Sequence, residues 1–259
     1  GHPDLGVPEY VTRSFLRKKG LTALSLGSGI GNREVAWAKT GYFNQITGID
    51  LSPERIRVAQ ATANAEGVQH ILKFSCQDFF DASFEDNTFD VVFAEGILHH
   101  LSPVSKALDK VEPLLRKGGR LVVDEYVGPN RFQWSKTQVR FANAALQLLP
   151  LEARRYKHLN FAKKKIAKHG TLSMKLYDPS EAADSASILR CINERFSLLT
   201  RRDYGGTIIH PVLKDIAHNF ISSNPLAKEG LEALFFIEDY LLRNEFVKSD
   251  FVFLVAEKT

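Results

Sequence analysis

A chain of 259 residues with 44% apolar side chains can bury a substantial core, either as one large domain or as a domain with a cap. No run approaches the ~18–20 continuous apolar residues that cross a bilayer, and no secretory pattern opens the sequence. Two cysteines, Cys76 and Cys191, exclude a disulfide framework, and no Cys/His spacing resembles a zinc site, so a cytoplasmic protein without a bound metal is expected.

Tyr10, Val11, Phe15 and Leu16 predict a short leading helix within 8–19, and residues 1–20 are set apart as that segment. From 22 to 127 strands and helices alternate. Strands are expected at 22–26, 46–49, 71–75, 90–94 and 120–125. Ile56, Ala59 and Ala63 mark one helical stripe, and Leu108, Val111 and Leu115 another, at spacings of three and four. Lys117-Gly118-Gly119 is expected to end the second of these helices with a left-handed glycine cap. Such alternation implies a doubly wound α/β fold, a mostly parallel sheet that binds ligands at the carboxyl ends of its strands.

The first strand runs into Gly27-Ser28-Gly29-Ile30-Gly31, and the second, Gln45 to Ile49, ends in Asp50. A glycine turn lets backbone approach a ligand closely, and a carboxylate ending the next strand can accept two ribose hydroxyls. The pattern therefore points to a cofactor containing a nucleoside. A dinucleotide fingerprint needs Gly-x-Gly-x-x-Gly. Here the third glycine comes one residue early, at Gly31, with Asn32 in the last position, which disfavours an NAD(P)-dependent oxidoreductase and suits a ribose with a small zwitterion.

At these residues the chain resembles the class I S-adenosylmethionine-dependent methyltransferases, from about Leu21 to about Val127. LSLGSGIGN is similar to the family's first motif, GIDLSPERI to its second, and CQDFFDASFEDNTFDVVFAEGILHHL to its third and fourth. LLRKGGRLVVDEY is similar to its helix-turn-strand ending in Gly-Gly. The family often has an acid two residues before the first glycine, where this chain has Ser25. The resemblance implies S-adenosyl-L-methionine as cofactor, with Gly27, Ser28 and Gly29 beside its methionine part. Asp50 would take the ribose, Leu51 and Phe79 would lie against the adenine, Asp78 would meet its amino group, and Glu95 would line the methionine end. It also implies a seven-stranded, Rossmann-like sheet whose last two strands, 196–201 and 251–256, pair as an antiparallel edge.

After Tyr126 the pattern changes. Val139, Ala142, Leu146 and Leu149 predict a helix over 134–149. Ser180-Glu181 reads as a helix start, and helical stretches are expected near 211–222 and 227–243. The division expected is a cofactor-binding core at 21–127, a helical insertion at 128–195 acting as substrate cap, and 196–259 completing the same domain, with the additions over the sheet's carboxyl edge. Between 151 and 169, Arg154, Arg155, Lys157, Lys163, Lys164, Lys165 and Lys168 stand against Glu152 alone. This run suits a solvated helix face or an anionic small-molecule substrate. Nucleic acid is disfavoured, because aromatic interleaving is slight and no RNA-binding motif accompanies the run.

Methyl transfer is an in-line displacement, so the protein positions the acceptor and, for an oxygen or nitrogen acceptor, removes its proton. Histidine suits that base. His99 and His100 follow the fourth strand. Adjacent helical residues point apart, so one at most is the base, and His99 lies four residues after Glu95 on a shared helical face. Glu125 is a further catalytic candidate. Tyr126, Asn130, Arg131 and Trp134 are candidates for the acceptor site, Arg131 as a bidentate partner for a carboxylate or phosphate; Tyr204 and His210 join them if the topology holds. A structural alternative pairs Glu125 with Arg131 and packs Trp134 beneath a lid. A metal held by Glu95, His99 and Glu125 is conceivable but not required. A non-catalytic subunit that binds S-adenosylmethionine is the other reading, supported by the loss of the acid at Ser25.

Overall fold

In the computed structural model, residues 5–159, 161–168, 179–221 and 225–259 are described. Helix α1 (Val7–Phe15) leads into β1 (Leu21–Leu26), whose residues are buried except for a half-buried Thr22, as an internal parallel strand requires. There follow α2 (Asn32–Lys39), β2 (Phe43–Asp50), α3 (Pro53–Ala65), β3 (Leu72–Cys76) and β4 (Phe89–Glu95). A short 3-10 turn at Leu98–His100 precedes α4 (Val104–Leu114) and β5 (Leu115–Tyr126). The remaining elements are α5 (Lys136–Leu148), α6 (Ile188–Asn193), β6 (Ser197–Gly205), α7 (Ile209–Leu213), α8 (Pro225–Arg243) and β7 (Phe251–Glu257). No described helix is long and apolar enough to cross a membrane.

The seven strands form one mostly parallel sheet in the order β3-β2-β1-β4-β5-β7-β6. The chain winds outward in both directions from β1 and β4, so the switch point lies between these two strands, at whose carboxyl ends an open α/β sheet binds its ligand. Register fixes which residues meet there. Leu26 pairs with Ile49 on one side and with Ala94 on the other, which sets Gly27 level with Asp50 and Glu95. Glu95 in turn pairs with Asp124, one residue before Glu125. Helices α1, α2 and α3 share one core with the sheet, in which Val11, Trp37 and Ala63 join Ile46, Phe93 and Val122. The expected stripe of Ile56, Ala59 and Ala63 is buried, as are Leu108 and Val111.

The chain divides into two compact units: residues 1–125, 187–202 and 253–259, and residues 126–186 and 203–252. The second has its own core, in which Phe132, Trp134, Ala142, Leu146, Ile208, Val212 and Leu234 are buried. Polar ties hold it internally. Glu238 accepts the amides of Gly206, Ile208 and Ile209 at 2.6–3.0 Å, satisfying the start of α7. Gln138 donates to Asp250 at 2.7 Å, and burial pushes the Asp250 carboxyl up to about 6.

Several expected elements are displaced. Helix α4 ends at Leu114 with Leu115 extended; Gly118 is left-handed (φ 72°), but it lies inside β5, where its amide donates to the Lys258 carbonyl. Glycine therefore serves a kink in the strand, not the helix cap. Residues 180–184 are bends and turns, and the helix expected there begins at Ile188. The stretch expected at 211–222 is broken by left-handed Asp215 (φ 68°), which separates α7 from a 3-10 turn at Ala217–Phe220. The basic run is not a helix face: among the described residues it holds a 3-10 turn at Glu152–Arg154 and an isolated bridge between Arg155 and Ala162. Lys163 is turned inward, its Nζ donating to the carbonyls of Pro211, Val212 and Lys214.

Candidate functional site

The strand-to-helix turn after β1 takes three left-handed glycines, Gly27 (φ 63°), Gly29 (φ 56°) and Gly31 (φ 83°). They differ in what they leave room for. A Cβ on Gly27 would stand 2.6 Å from Ile97, and one on Gly31 would press on Ala59 and Phe74, so these two serve close packing. A Cβ on Gly29 would meet nothing within 4 Å. Gly29 therefore presents bare backbone to open space, which is the condition for a ligand to approach the main chain.

Asp50, at the end of β2, closes the turn. Its Oδ2 accepts the Gly29 amide and its Oδ1 the Ser52 amide, both at 2.9 Å. A carboxylate offers about four acceptor sites, so two amides leave capacity for a ribose. Leu51 beside it is 69% exposed, an apolar side chain standing out of the core. Asp78 spends one oxygen on the Phe80 amide at 2.8 Å, and its carbonyl accepts the amides of Asp81 and Ala82, so it organises the turn after β3. Phe79 is buried, with the Lys110 ammonium 5.3 Å from its ring centre.

A cavity of about 220 Å³ lies along the glycine turn, lined by residues 25–30 and 32–34 and by Glu95. Glu95 accepts from the indole N–H of Trp37 at 2.9 Å, and that ring is stacked on Phe93. Burial pushes the Glu95 carboxyl up to about 7, against the lowering pull of Trp37 and Arg33 and with the charge of Glu34 adding to the rise. Sequence reasoning missed Glu34, which is 2% exposed and accepts from Ser25 Oγ at 2.6 Å. An acid in the first turn of a helix reads as an exposed partner of the helix dipole. Its spacing from Trp37 and Ala38, both buried, was the signal that it faces inward.

The structure brings together Gly27, Ser28, Gly29 and Glu95 around this cavity, with Asp50 bonded to the same turn. Open backbone at Gly29, capacity on Asp50 and two acids beside the turn suit a nucleoside carrying a cationic end.

Beyond β4 the chain forms a 3-10 turn instead of a helix, so His99 does not share a helical face with Glu95. Its partner is Glu125. His99 Nδ1 is 2.5 Å from Glu125 Oε1, while Glu125 Oε2 accepts the amides of Ile97 and Leu98. The His100 ring is tilted against that of His99, centroids 4.1 Å apart. Glu125 thus pairs with His99, and among the described residues Glu95, His99 and Glu125 are not gathered within ligand distance of one another.

Tyr126, Asn130, Arg131, Trp134, Tyr204 and His210 belong to the second unit. Tyr126 and Trp134 are buried there, and the rings of Tyr126, Phe132, Trp134 and His210 cluster. Burial pushes the Tyr126 phenol well above its ordinary range. Asn130 accepts the Ala186 amide, Arg131 donates to the Pro179 carbonyl from a left-handed backbone (φ 52°), and Tyr204 is exposed.

Residues 24–123 match the family model described as a methyltransferase domain. Over these residues the chain carries a methyltransferase domain, similar to those of the class I S-adenosylmethionine-dependent methyltransferases. Over 110 residues the chain is 30% identical to ajmaline N-methyltransferase of Rauvolfia serpentina, spanning 42% of this chain and 38% of that enzyme. The chain thus spans less than half the length of that relative. Solved structures that share the fold over 97% of this chain include the cyclase SpnF (80% of that chain, 19% identity, TM-score 0.57) and geranyl diphosphate methyltransferase in complex with S-adenosylmethionine (84%, 15%, 0.59). The methyltransferase motifs that the sequence carries coincide with β1, β2, β3, β4 and β5 and with the turns at their carboxyl ends.

Proposed function

We propose that this chain transfers a methyl group from S-adenosylmethionine to an oxygen or nitrogen of a small molecule or a carrier-bound intermediate. The observation that carries the reading is the cavity beside the glycine turn, with Asp50 bonded to Gly29 and with Glu95 on its border. The relative named for ajmaline supports a small-molecule acceptor.

The bound donor supplies an activated methyl on a sulfonium. What remains for the protein is placement and one proton. The glycine turn would let the main chain lie against the donor, and Asp50 would take its ribose hydroxyls. Leu51 and Phe79 would border its adenine, with Asp78 towards the amino group. His99 takes the acceptor's proton, and Glu125 positions it by holding Nδ1 and by fixing the backbone of Ile97 and Leu98. His100, whose ring packs on His99, supports that ring. Arg131 is the residue for an anionic group, because its Nη1 is buried without a hydrogen-bond partner among the described residues.

The test is transfer of a labelled methyl from S-adenosylmethionine to metabolite fractions. Label entering a small acceptor supports the reading. A chain that binds the donor yet labels no fraction is a binding subunit instead.

A further inference from the structure

Two buried polar atoms on the border of the 220 Å³ cavity have no hydrogen-bond partner among the described residues, Ser28 Oγ and Glu34 Oε2. The Glu34 side chain is almost fully buried, and burial pushes its pKa up against the pull of the Ser25 hydroxyl and the Arg33 charge. Burying a carboxylate oxygen without a donor is costly. Ser25 holds only the other oxygen, so the carboxylate is fixed in orientation and its second oxygen is left unused. Glu95 stands on the same cavity, and Arg33, whose charge acts on both carboxylates, donates to the main-chain carbonyl of Glu95. The cavity thus holds two acids against the one Arg33 charge. The buried Glu34 and Ser28 oxygens without partners call for a ligand that brings N–H donors, and the acids outnumber the cation, which favours a cationic group.

Resting on the donor reading above, we propose that Glu34, held by Ser25, is the carboxylate that receives the α-ammonium group of the donor's amino-acid end, with Ser28 Oγ accepting a second N–H. The negative charge reaches the end of β1 from α2 rather than from the strand, because Ser25 occupies the strand position and its hydroxyl is what anchors Glu34.

Calorimetry with two probes tests this. S-adenosylhomocysteine carries the ammonium, whereas 5′-methylthioadenosine keeps the nucleoside and sulfur but has no amino-acid end. Glu34→Gln should weaken S-adenosylhomocysteine roughly tenfold or more and leave 5′-methylthioadenosine unchanged. Ser25→Asp combined with Glu34→Ser returns the carboxylate to the strand and should restore most of the lost affinity, which also shows that the effect is not misfolding. Equal weakening of both probes by Glu34→Gln, or of neither, overturns the assignment. Wild-type protein that binds neither probe overturns the donor reading itself, and this assignment with it.

Discussion

Glu125 divides its carboxylate between one side chain and the main chain, with Oε1 2.5 Å from His99 Nδ1 and Oε2 on the amides of Ile97 and Leu98. At 1% exposure it is among the most buried acids in the described chain. One group thus sets both the turn that carries the imidazole and the orientation of the ring. His99→Ala should lower turnover about 100-fold or more with S-adenosylhomocysteine affinity unchanged. Glu125→Gln should lower turnover and also destabilise the fold by about 1.5–3 kcal/mol, since amides that met a charged acceptor now meet a neutral one. Steady-state kinetics beside denaturant unfolding separates the two. Unchanged turnover in His99→Ala removes it as the base.

Gly27 and Gly29 share a left-handed backbone but not their surroundings, and alanine should divide them. Gly27→Ala drives a methyl to within 2.6 Å of Ile97 and should destabilise by about 1–3 kcal/mol on top of the backbone cost. Gly29→Ala meets no protein atom, so its stability cost is only the left-handed strain, about 1–2 kcal/mol. Its affinity for S-adenosylhomocysteine should nevertheless fall sharply. A Gly29→Ala variant with intact affinity would show that no ligand approaches that backbone.

Asp50→Ala removes the acceptor for Gly29 and Ser52 as well as the proposed ribose partner. Donor affinity should drop by about 1.5–3 kcal/mol per lost charged bond. Adenosine, which has the ribose but no amino-acid end, should lose affinity in parallel. If adenosine is unaffected, Asp50 acts on the turn alone.

Glu95 predicts a pH dependence. Its folded pKa of about 7 lies above the ordinary carboxyl value of 4.5, so the folded state holds a proton that the unfolded chain has released. Its contribution to stability is therefore full below about pH 4.5 and declines as pH rises to about 7. Glu95→Gln should flatten that decline in unfolding curves taken across the window. Binding a cationic ligand favours the ionised acid, so titration near pH 6 in buffers of differing ionisation enthalpy should register proton release. A decline that persists in Glu95→Gln would place the titrating group elsewhere.

The alternating core was readable in the sequence because internal parallel strands leave apolar runs, as over 91–94 and 121–123, and amphipathic helices repeat at three and four. The glycine turn and Asp50 were readable because the carboxyl ends of neighbouring strands lie level. The spacing of Glu34 from Trp37 and Ala38 marks its inward face, but its meeting with Ser25 was not readable, since that depends on how α2 is rotated over the sheet. Glu125 and His99 meet because β4 and β5 pair Glu95 with Asp124, a register that composition does not reveal. In the second unit, short helices broken by Asp215 and a lysine drawn inward at Lys163 left the periodicity weak.

Which nucleoside cofactor the glycine turn accepts is measured most directly by calorimetric titration of the whole chain with S-adenosylhomocysteine and, separately, with NAD. Micromolar binding of S-adenosylhomocysteine with no binding of NAD is the predicted result, and binding of NAD alone would contradict it.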